Sequence, residues 1–259
     1  LAVSPEQRRE RIVALTLERE RVAVEELAAT LNSSRETIRR DLSELDRRGR
    51  LRKVHGGATV PDSALLEPGS ESPFQMRLAE NVAAKRTIGR CAAQLFQPGE
   101  TLFVDTGTTT ILFAEELARA TGLTIITNSA AIAAFAGRGP ENTVILIGGA
   151  YRNEGSESVG PLAIEQIARF HADYAVLTVG AVGEVGLLDY DHEEALVARA
   201  MIAHARSVTV LADSSKFGPS ALFKVAPLAA VDRIVTEQPP AQPWQAALAA
   251  ANVDLILAS

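Results

Sequence analysis

Asp105-Thr106-Gly107-Thr108-Thr109-Thr110, leading into an apolar helix start at Ile111, is a stretch whose residue types could grip an anion. Glycine lets the backbone approach closely, threonine hydroxyls add donors, and a helix start offers free N–H groups at its positive end, so the combination suits a phosphate. The loop lacks the lysine of a nucleotide-binding P-loop, and the charge has to come from Lys85, Arg152 or Lys216. An ordinary serine/threonine cap at a strand-to-helix turn would use the same residues. What favours a site is repetition: Thr127-Asn128-Ser129, Gly148-Gly149, Gly180 and Asp213-Ser214-Ser215-Lys216 follow other apolar runs in the same way. Asp105, Glu193, Glu194 and Lys216 could also move protons, as in a sugar-phosphate isomerase or deaminase, if they met around a substrate. A binding site needs the same types, and Glu193 by itself reads equally as a solvated residue at a helix start.

A second kind of chemistry is concentrated near the N-terminus. The chain has 259 residues and a net charge of −6, yet residues 1–60 hold 13 basic against 10 acidic side chains. Residues 33–60 hold eight basic ones (Arg35, Arg39, Arg40, Arg47, Arg48, Arg50, Arg52, Lys53) against four acidic. Such a local excess suits a phosphate backbone, although a solvated basic helix face would look alike. Arginine can bridge the O6 and N7 of guanine. Thr37 can meet a thymine methyl or a phosphate, and Arg47, Arg48, Arg52 and Lys53 are placed to hold the DNA backbone. His55 suits a phosphate or minor-groove contact and simple hairpin packing equally.

The elements that position these basic residues are readable. Ser4-Pro5-Glu6-Gln7 starts a helix with Ile12, Val13, Leu15 and Leu17 on its apolar side, and Val24, Leu27, Ala28 and Leu31 give a second, shorter one. Ser33 and Glu36 form a capping box for a third, whose narrow apolar stripe is Ile38, Leu42 and Leu45. Two short helices joined by a tight turn, the second carrying Arg35, Thr37, Arg39 and Arg40, predict a helix-turn-helix. Gly49 ends that helix. Leu51–His55, Gly56-Gly57 and Ala58–Val60 then read as strand, turn and strand, the wing of a winged helix.

Pro61, Pro68-Gly69-Ser70 and Pro73 lie in a stretch without apolar periodicity, so we expect a DNA-binding domain over residues 1–60, a linker over 61–73 and a larger domain over 74–259. A helical pattern runs from Phe74 to about Phe96, where Gln97-Pro98-Gly99 stops it. Apolar runs at Thr101–Asp105, Leu123–Thr127, Thr143–Ile147, Tyr174–Val179, Val208–Ala212 and Val231–Val235 then alternate with helical segments, and Val253–Leu257 makes a last edge strand. This predicts a mostly parallel sheet covered on both faces, with ligands at the carboxyl ends of its strands.

Ser34-Arg35-Glu36-Thr37-Ile38-Arg39-Arg40-Asp41-Leu42 and Val54-His55-Gly56-Gly57-Ala58, preceded by Arg9, Val13 and Leu17, resemble the signature of the DeoR family of transcriptional regulators. The resemblance continues through Asn81 with Lys85, Asp105–Thr110, Thr127–Ser129, Gly148–Arg152, Gly160-Pro161 and Asp213–Gly218, and so covers nearly the whole chain. It implies a recognition helix over residues 34–47 and DNA contacts from Ser34, Arg35, Thr37, Arg39, Arg40, Arg52, Lys53 and His55. It also implies an α/β sensor domain of the ribose-5-phosphate isomerase and glucosamine-6-phosphate deaminase type. The effector would be a phosphorylated sugar or polyol held by Lys85, Asp105 to Thr110, Thr127 to Ser129, Gly148, Gly149, Arg152, Gly180, Glu193 and Lys216. Gly186–Glu193 and Gln238-Pro239-Pro240-Ala241 are similar to the glycerol-3-phosphate branch of the family, whereas Thr178–Gly183 departs from the usual pattern.

Other classes find less support. His171, His192 and His204 lack the spacing of a zinc site, and Cys91, the single cysteine, reads as helix-core filler and excludes an internal disulfide, so neither metal nor cofactor is expected. No run approaches the roughly 18 to 20 apolar residues of a membrane span, and the charged N-terminus is unlike a signal peptide, which predicts a cytoplasmic protein. A DNA-binding architectural protein would leave the loops of the larger domain unexplained. Operator specificity predicts a homodimer or homotetramer, because paired half-sites multiply the few base contacts of one winged helix.

Overall fold

The computed structural model describes residues 5–19, 21–47, 51–54, 56–59, 73–184 and 186–259. Ser4, Arg48, Gly49, Arg50, His55, Val60 and residues 61–72 of the expected linker lie outside them. The chain divides into two compact units, Leu1–Ala79 and Glu80–Ser259, so the helix expected to open the larger domain is grouped with the first unit.

In the first unit, α1 (Pro5–Arg19) leads into a short strand, β1 (Arg21–Ala23), then α2 (Val24–Thr30) and α3 (Arg35–Arg47). The hairpin β2 (Arg52–Val54) and β3 (Gly57–Thr59) follows, and α4 (Phe74–Ala79) ends the unit. The wing is a three-stranded antiparallel sheet in the order β1-β3-β2, with Ala58 of β3 facing Val22 on one side and Lys53 on the other. β1 was not anticipated; three residues of which only Val22 is buried give no periodicity to read. The two wing glycines do different work. Gly56 holds the turn at φ +80°, whereas Gly57 lies in β3 where any Cβ would collide with the Val22 carbonyl. Ile12, Leu27, Ile38, Leu42 and Leu45 close one core. The cap of α3 is Ser34 and not Ser33: Ser34 Oγ accepts from Thr37 N at 3.1 Å, while Ser33 Oγ donates back to Leu31 O. The capping box read at Ser33 and Glu36 is therefore one residue out of register.

The second unit begins with α5 (Val82–Ala93). The continuous helix expected from Phe74 to Phe96 is broken ahead of it, with Asn81 left-handed at φ 52°. Then come β4 (Thr101–Val104), α6 (Thr108–Leu117), β5 (Thr124–Thr127), α7 (Ala130–Ala136), β6 (Thr143–Leu146), and the hairpin β7 (Ala150–Arg152) and β8 (Glu157–Val159). α8 (Pro161–Ile167), β9 (Ala172–Leu177), β10 (Ala181–Gly183), β11 (Gly186–Asp189), α9 (His192–Ala203) and β12 (Ala205–Leu211) follow. β13 (Phe223–Ala226), β14 (Arg233–Thr236), α10 (Gln242–Ala250) and β15 (Asp254–Leu257) complete the unit. The seven apolar runs all become strands of one parallel sheet, in the order β15-β14-β12-β9-β4-β5-β6. Leu102, Phe103 and Val104 are buried in succession, as a strand covered on both faces requires. Two elements were not foreseen, the β7–β8 hairpin and a small antiparallel sheet of β10, β11 and β13.

The strand order places a reversal at the centre of the sheet. From β4 the chain builds outward through β5 and β6, then returns to lay β9 on the other side of β4 and continues through β12, β14 and β15. Such a switch point parts the loops that leave two neighbouring strands and opens a crevice at their carboxyl ends.

Candidate functional site

In the first unit, α3 turns Ile38, Leu42 and Leu45 inward and leaves Ser34, Arg35, Arg39, Arg40 and Ser43 exposed, with Thr37 half-buried. Its position is fixed by Asp41, whose buried carboxylate accepts from Arg8 Nε at 2.6 Å and Arg9 Nε at 2.9 Å and so ties α3 to α1. Arg35 lies 3.7 Å from Glu25 and Arg40 lies 3.5 Å from Glu36, both exposed pairs of little energetic consequence. Arg39 is exposed and has no ion pair among the described residues. Lys53 is exposed on β2, its Nζ donating to Ser43 Oγ at 2.8 Å and its N–H to Asp46 at 2.9 Å, which joins wing to recognition helix. Arg52 opens β2, and His55 lies outside the described residues.

In the second unit, Asp105 leaves β4 at the switch point and is bound across it: its N–H donates to Val176 O, and its carboxylate accepts from Thr178 N at 3.0 and 3.1 Å. The loop that follows is closed. Thr106, Gly107, Thr108, Thr109 and Thr110 are all buried, and α6 starts at Thr108. Gly107 does have a close backbone approach, but to protein: a Cβ there would run into Thr178 Oγ1. Beside it, Asn128 Nδ2 donates to Ser158 O at 3.1 Å, Ser129 Oγ caps α7 by accepting from Ile132 N, and Thr127 Oγ1 accepts from Ser129 N.

Asp105, Thr106, Asn128 and Glu194 on α9, all singled out in the sequence, line one narrow cavity, and its other walls come from residues not assigned to the site: Glu157 on β8, Asp189 on β11, and Val197 and Ala198 on α9. Arg152 on β7 is the cation of this cluster. Its guanidinium forks to Asp191 Oδ1 at 2.9 Å and Glu194 Oε1 at 3.1 Å, and its Nε stands 3.3 Å from Glu157. Asp191 is also the N-cap of α9, accepting from the N–H groups of Glu193 and Glu194. Burial pushes the Asp105 carboxyl well above the ordinary carboxylate range; the Thr178 N–H opposes this, and the charges of Asp189, Glu194 and Glu157 add to it. Burial likewise raises Glu157 against the pull of Arg152. Burial also works upward on Asp191, but Arg152 and the helix N–H groups outweigh it and bring the carboxyl below its usual value.

The remaining expected residues lie elsewhere on the same unit. Gly148 exchanges hydrogen bonds with the Gln166 side chain, Gly149 packs against Val159 O, and Gly180 lies against the Tyr190 ring. Glu193 points toward Gly160 and His192 and does not line the cavity. Lys216 ends a 3-10 turn over Ser214–Lys216, beyond β12, and Lys85 is buried on α5. These two elements are joined by Asn81 Nδ2, which donates to Asp213 at 3.2 Å and Ser215 at 3.3 Å. They border an open cavity of about 720 Å³ lined by the first turns of α5, Ser214, Ser215, Glu237 and Gln238. Cys91 is partly buried on α5, and burial raises its thiol. Among the described residues no cluster of His, Cys, Asp or Glu has the geometry to hold a metal ion, and no helix is long and apolar enough to cross a membrane.

A winged helix with a basic recognition face, carried on one chain with a parallel-sheet unit that has a polar crevice at its switch point, defines a ligand-responsive DNA-binding regulator. The DeoR-like helix-turn-helix domain matches residues 8–64 and the DeoR C terminal sensor domain matches residues 80–238; the chain belongs to the DeoR family of transcriptional regulators. It is 32% identical to the HTH-type transcriptional repressor CsqR of Escherichia coli over 96% of this chain and 94% of that protein. It is equally 32% identical to the glycerol-3-phosphate regulon repressor of Escherichia coli, over 90% and 91%. The HTH-type transcriptional repressor GlcR of Bacillus subtilis is 31% identical over 96% and 95%. Among solved structures, ribose 5-phosphate isomerase A from Methanocaldococcus jannaschii is similar over 53% of this chain and 55% of that one, with a TM-score of 0.39 and 18% identity.

Proposed function

We propose that the chain represses an operon of carbohydrate or polyol catabolism, binding operator DNA through α3 and the wing and leaving it when a phosphorylated sugar or polyol binds the second unit. The observation that carries this reading is the pairing, in one DeoR-family chain, of an exposed α3 face bearing Arg35, Arg39 and Arg40 with a crevice at the switch point of a sensor domain. Ser34, Thr37, Arg52, Lys53 and His55 complete the DNA surface in this reading. Asp105 to Thr110, Thr127 to Ser129 and Arg152 are the core of the effector site in this reading, and Lys85, Gly148, Gly149, Gly180, Glu193 and Lys216 support it from other elements of the same unit. The DNA-binding part is residues 1–60, the connection 61–73 and the sensor 74–259. The protein acts in the cytoplasm as a homodimer or homotetramer, because paired half-sites multiply the specificity of a single winged helix.

The switch-point carboxylates bind and do not catalyse in this reading, which is supported by relatives named as repressors across nine-tenths or more of the chain. Equal identity to CsqR and to the glycerol-3-phosphate regulon repressor singles out neither branch, so the effector is proposed by class, with glycerol 3-phosphate as one member. The test is a titration of the protein onto DNA upstream of its own gene cluster, in fixed salt with competitor DNA, with and without phosphorylated sugars and glycerol 3-phosphate. Tight, competitor-resistant binding released by one compound is the expected result. Turnover of such a compound without specific DNA binding would replace the reading with an isomerase or deaminase.

A further inference from the structure

We propose that Glu157, with Asp189 and Glu194, forms the hydroxyl-recognising end of the effector site, accepting hydrogen bonds from two adjacent hydroxyls of a polyol or sugar whose phosphate lies outside this cluster. The inference rests on the sensor reading above and adds which end of the ligand goes where. Glu157 is 1% exposed and lines the switch-point cavity, yet neither of its oxygens has a partner at hydrogen-bond geometry among the described residues. Burial raises its carboxyl against the downward pull of Arg152, whose Nε stands off at 3.3 Å. A buried carboxylate is an acceptor with two adjacent oxygens, and such groups are stable only when donors reach them. Two neighbouring hydroxyls are donors at matching spacing.

A phosphate does not fit the same place. Asp105, Asp189, Glu194 and Glu157 line the cavity, and the Arg152 guanidinium, which pairs with two of them, is already engaged by Asp191 and Glu194. A dianion there would meet carboxylates in a poorly hydrated space, where repulsion is strongest. Val197 and Ala198 of α9 add aliphatic carbon to the lining. Carboxylates together with aliphatic carbon match a polyhydroxy chain, which carries both hydroxyls and C–H groups, better than an ammonium group, which needs acceptors all round. The cavity is only about 10 Å³, so a polyol requires it to open, and the Arg152 pairs with Asp191 and Glu194 are the contacts that join the β7–β8 hairpin to the first turn of α9.

The experiment is calorimetric titration of the full chain with glycerol 3-phosphate, ribose 5-phosphate and glucose 6-phosphate. It is repeated with deoxy analogues lacking a hydroxyl far from the phosphate, with an amino-sugar phosphate and with inorganic phosphate. For whichever compound binds best, removing a distal hydroxyl should weaken binding to the wild-type protein at least tenfold. E157Q should weaken binding of the intact compound by a similar factor and leave competition by inorganic phosphate unchanged. If E157Q does not give a native melting curve, E194Q, whose side chain is 23% exposed, is read in its place, and the deoxy comparison stands on wild-type protein alone. Equal binding of parent and deoxy compound, equal loss of inorganic phosphate, or tighter binding of the amino-sugar phosphate would overturn this assignment while leaving the sensor intact. Failure of every compound to bind the wild-type protein would overturn the sensor reading itself.

Discussion

Replacing Asp41 should loosen the recognition helix from the body of the winged helix by an amount the structure allows us to work out. Its side chain is 3% exposed and takes two charge-assisted hydrogen bonds, from Arg8 at 15% and Arg9 at 29% exposure. Deleting one partner of a buried ion pair costs about 3–5 kcal/mol, chiefly because the stranded charge is left without compensation. Both arginines are partly open and can rehydrate, so Asp41→Ala belongs near the lower limit, about 3 kcal/mol by the same scale. A unit of this size has roughly 3–8 kcal/mol of stability in total, so the variant stands close to its unfolding midpoint at the weak end of that range. Urea unfolding of the full chain, followed by circular dichroism and by protease cleavage within α1 to α3, reads the loss directly. Apparent operator affinity should fall in step with the folded fraction. Neutralising all three positions together, with Asp41→Asn, Arg8→Gln and Arg9→Gln, should recover part of the loss. A change below about 0.5 kcal/mol, the level of ordinary surface substitutions, would refute the argument and mean that Ile12, Ile38 and Leu42 alone hold α1 against α3.

Arg39→Ala should weaken operator binding by about 1–3 kcal/mol, roughly 5- to 150-fold, with relaxed specificity at one base pair and unchanged effector affinity in the same preparation. Arg40→Ala should reduce the salt dependence of binding more than its sequence preference; a gel-shift titration over several salt concentrations separates the two. Gly107→Ala places a methyl against Thr178 Oγ1 and should destabilise the second unit by about 1–3 kcal/mol, most of it recovered by adding Thr178→Ala; thermal melts that show no recovery would relocate the strain. Asp105 titrates above its unfolded value of about 3.9, so the folded state holds its proton longer. Its contribution is most favourable below that pH and declines as pH rises toward the elevated native value. Asp105→Asn should therefore gain melting temperature relative to wild type as pH is raised from about 4 to 8, and parallel curves would contradict the burial argument.

The parallel sheet was legible because its strands are buried on both faces and read as unbroken apolar runs, and the helix-turn-helix because its caps and narrow apolar stripes are local. Elements whose order depends on the rest of the fold left no such trace. β1 is three residues long, and the β7–β8 hairpin, Ala150 to Val159, shows one buried residue in β7 and β8 beyond Glu157, namely Val159. The site was legible by half. Asp105, Thr106 and Asn128 were picked out by their position after apolar runs, Arg152 for its charge and Glu194 as an acid, and they meet around one crevice. Glu157 follows a polar turn, Asn153-Glu154-Gly155-Ser156, that resembles any exposed loop, and only the pairing of β8 with β7 and its bridge to Ser129 bring it to the sheet edge. Lys216 was chosen for its charge and its place after an apolar run, and it ends a 3-10 turn beyond β12, outside the lining of this cavity.

The two units use charge in opposite ways, which has consequences for how one chain can do both tasks. Arg35, Arg39, Arg40 and Lys53 are exposed cations on a local basic excess, so their attraction to a phosphate backbone is long-ranged, screened within about 8 Å at physiological salt and dependent on counterion release. Residues 61–259 hold 13 basic against 22 acidic side chains, which at long range repels both DNA and a phosphorylated effector. On the proposed reading an effector is held by short-range contacts in a poorly hydrated crevice, where donors such as the N–H groups of a helix start act at full strength and salt has little access. Operator affinity should then be steep in salt and effector affinity nearly flat. On the proposed reading the same separation accounts for the acidic crevice: with a phosphate secured by local dipoles, carboxylates directed at the far end of the ligand would cost little in affinity and would reject any compound that cannot present hydroxyls there.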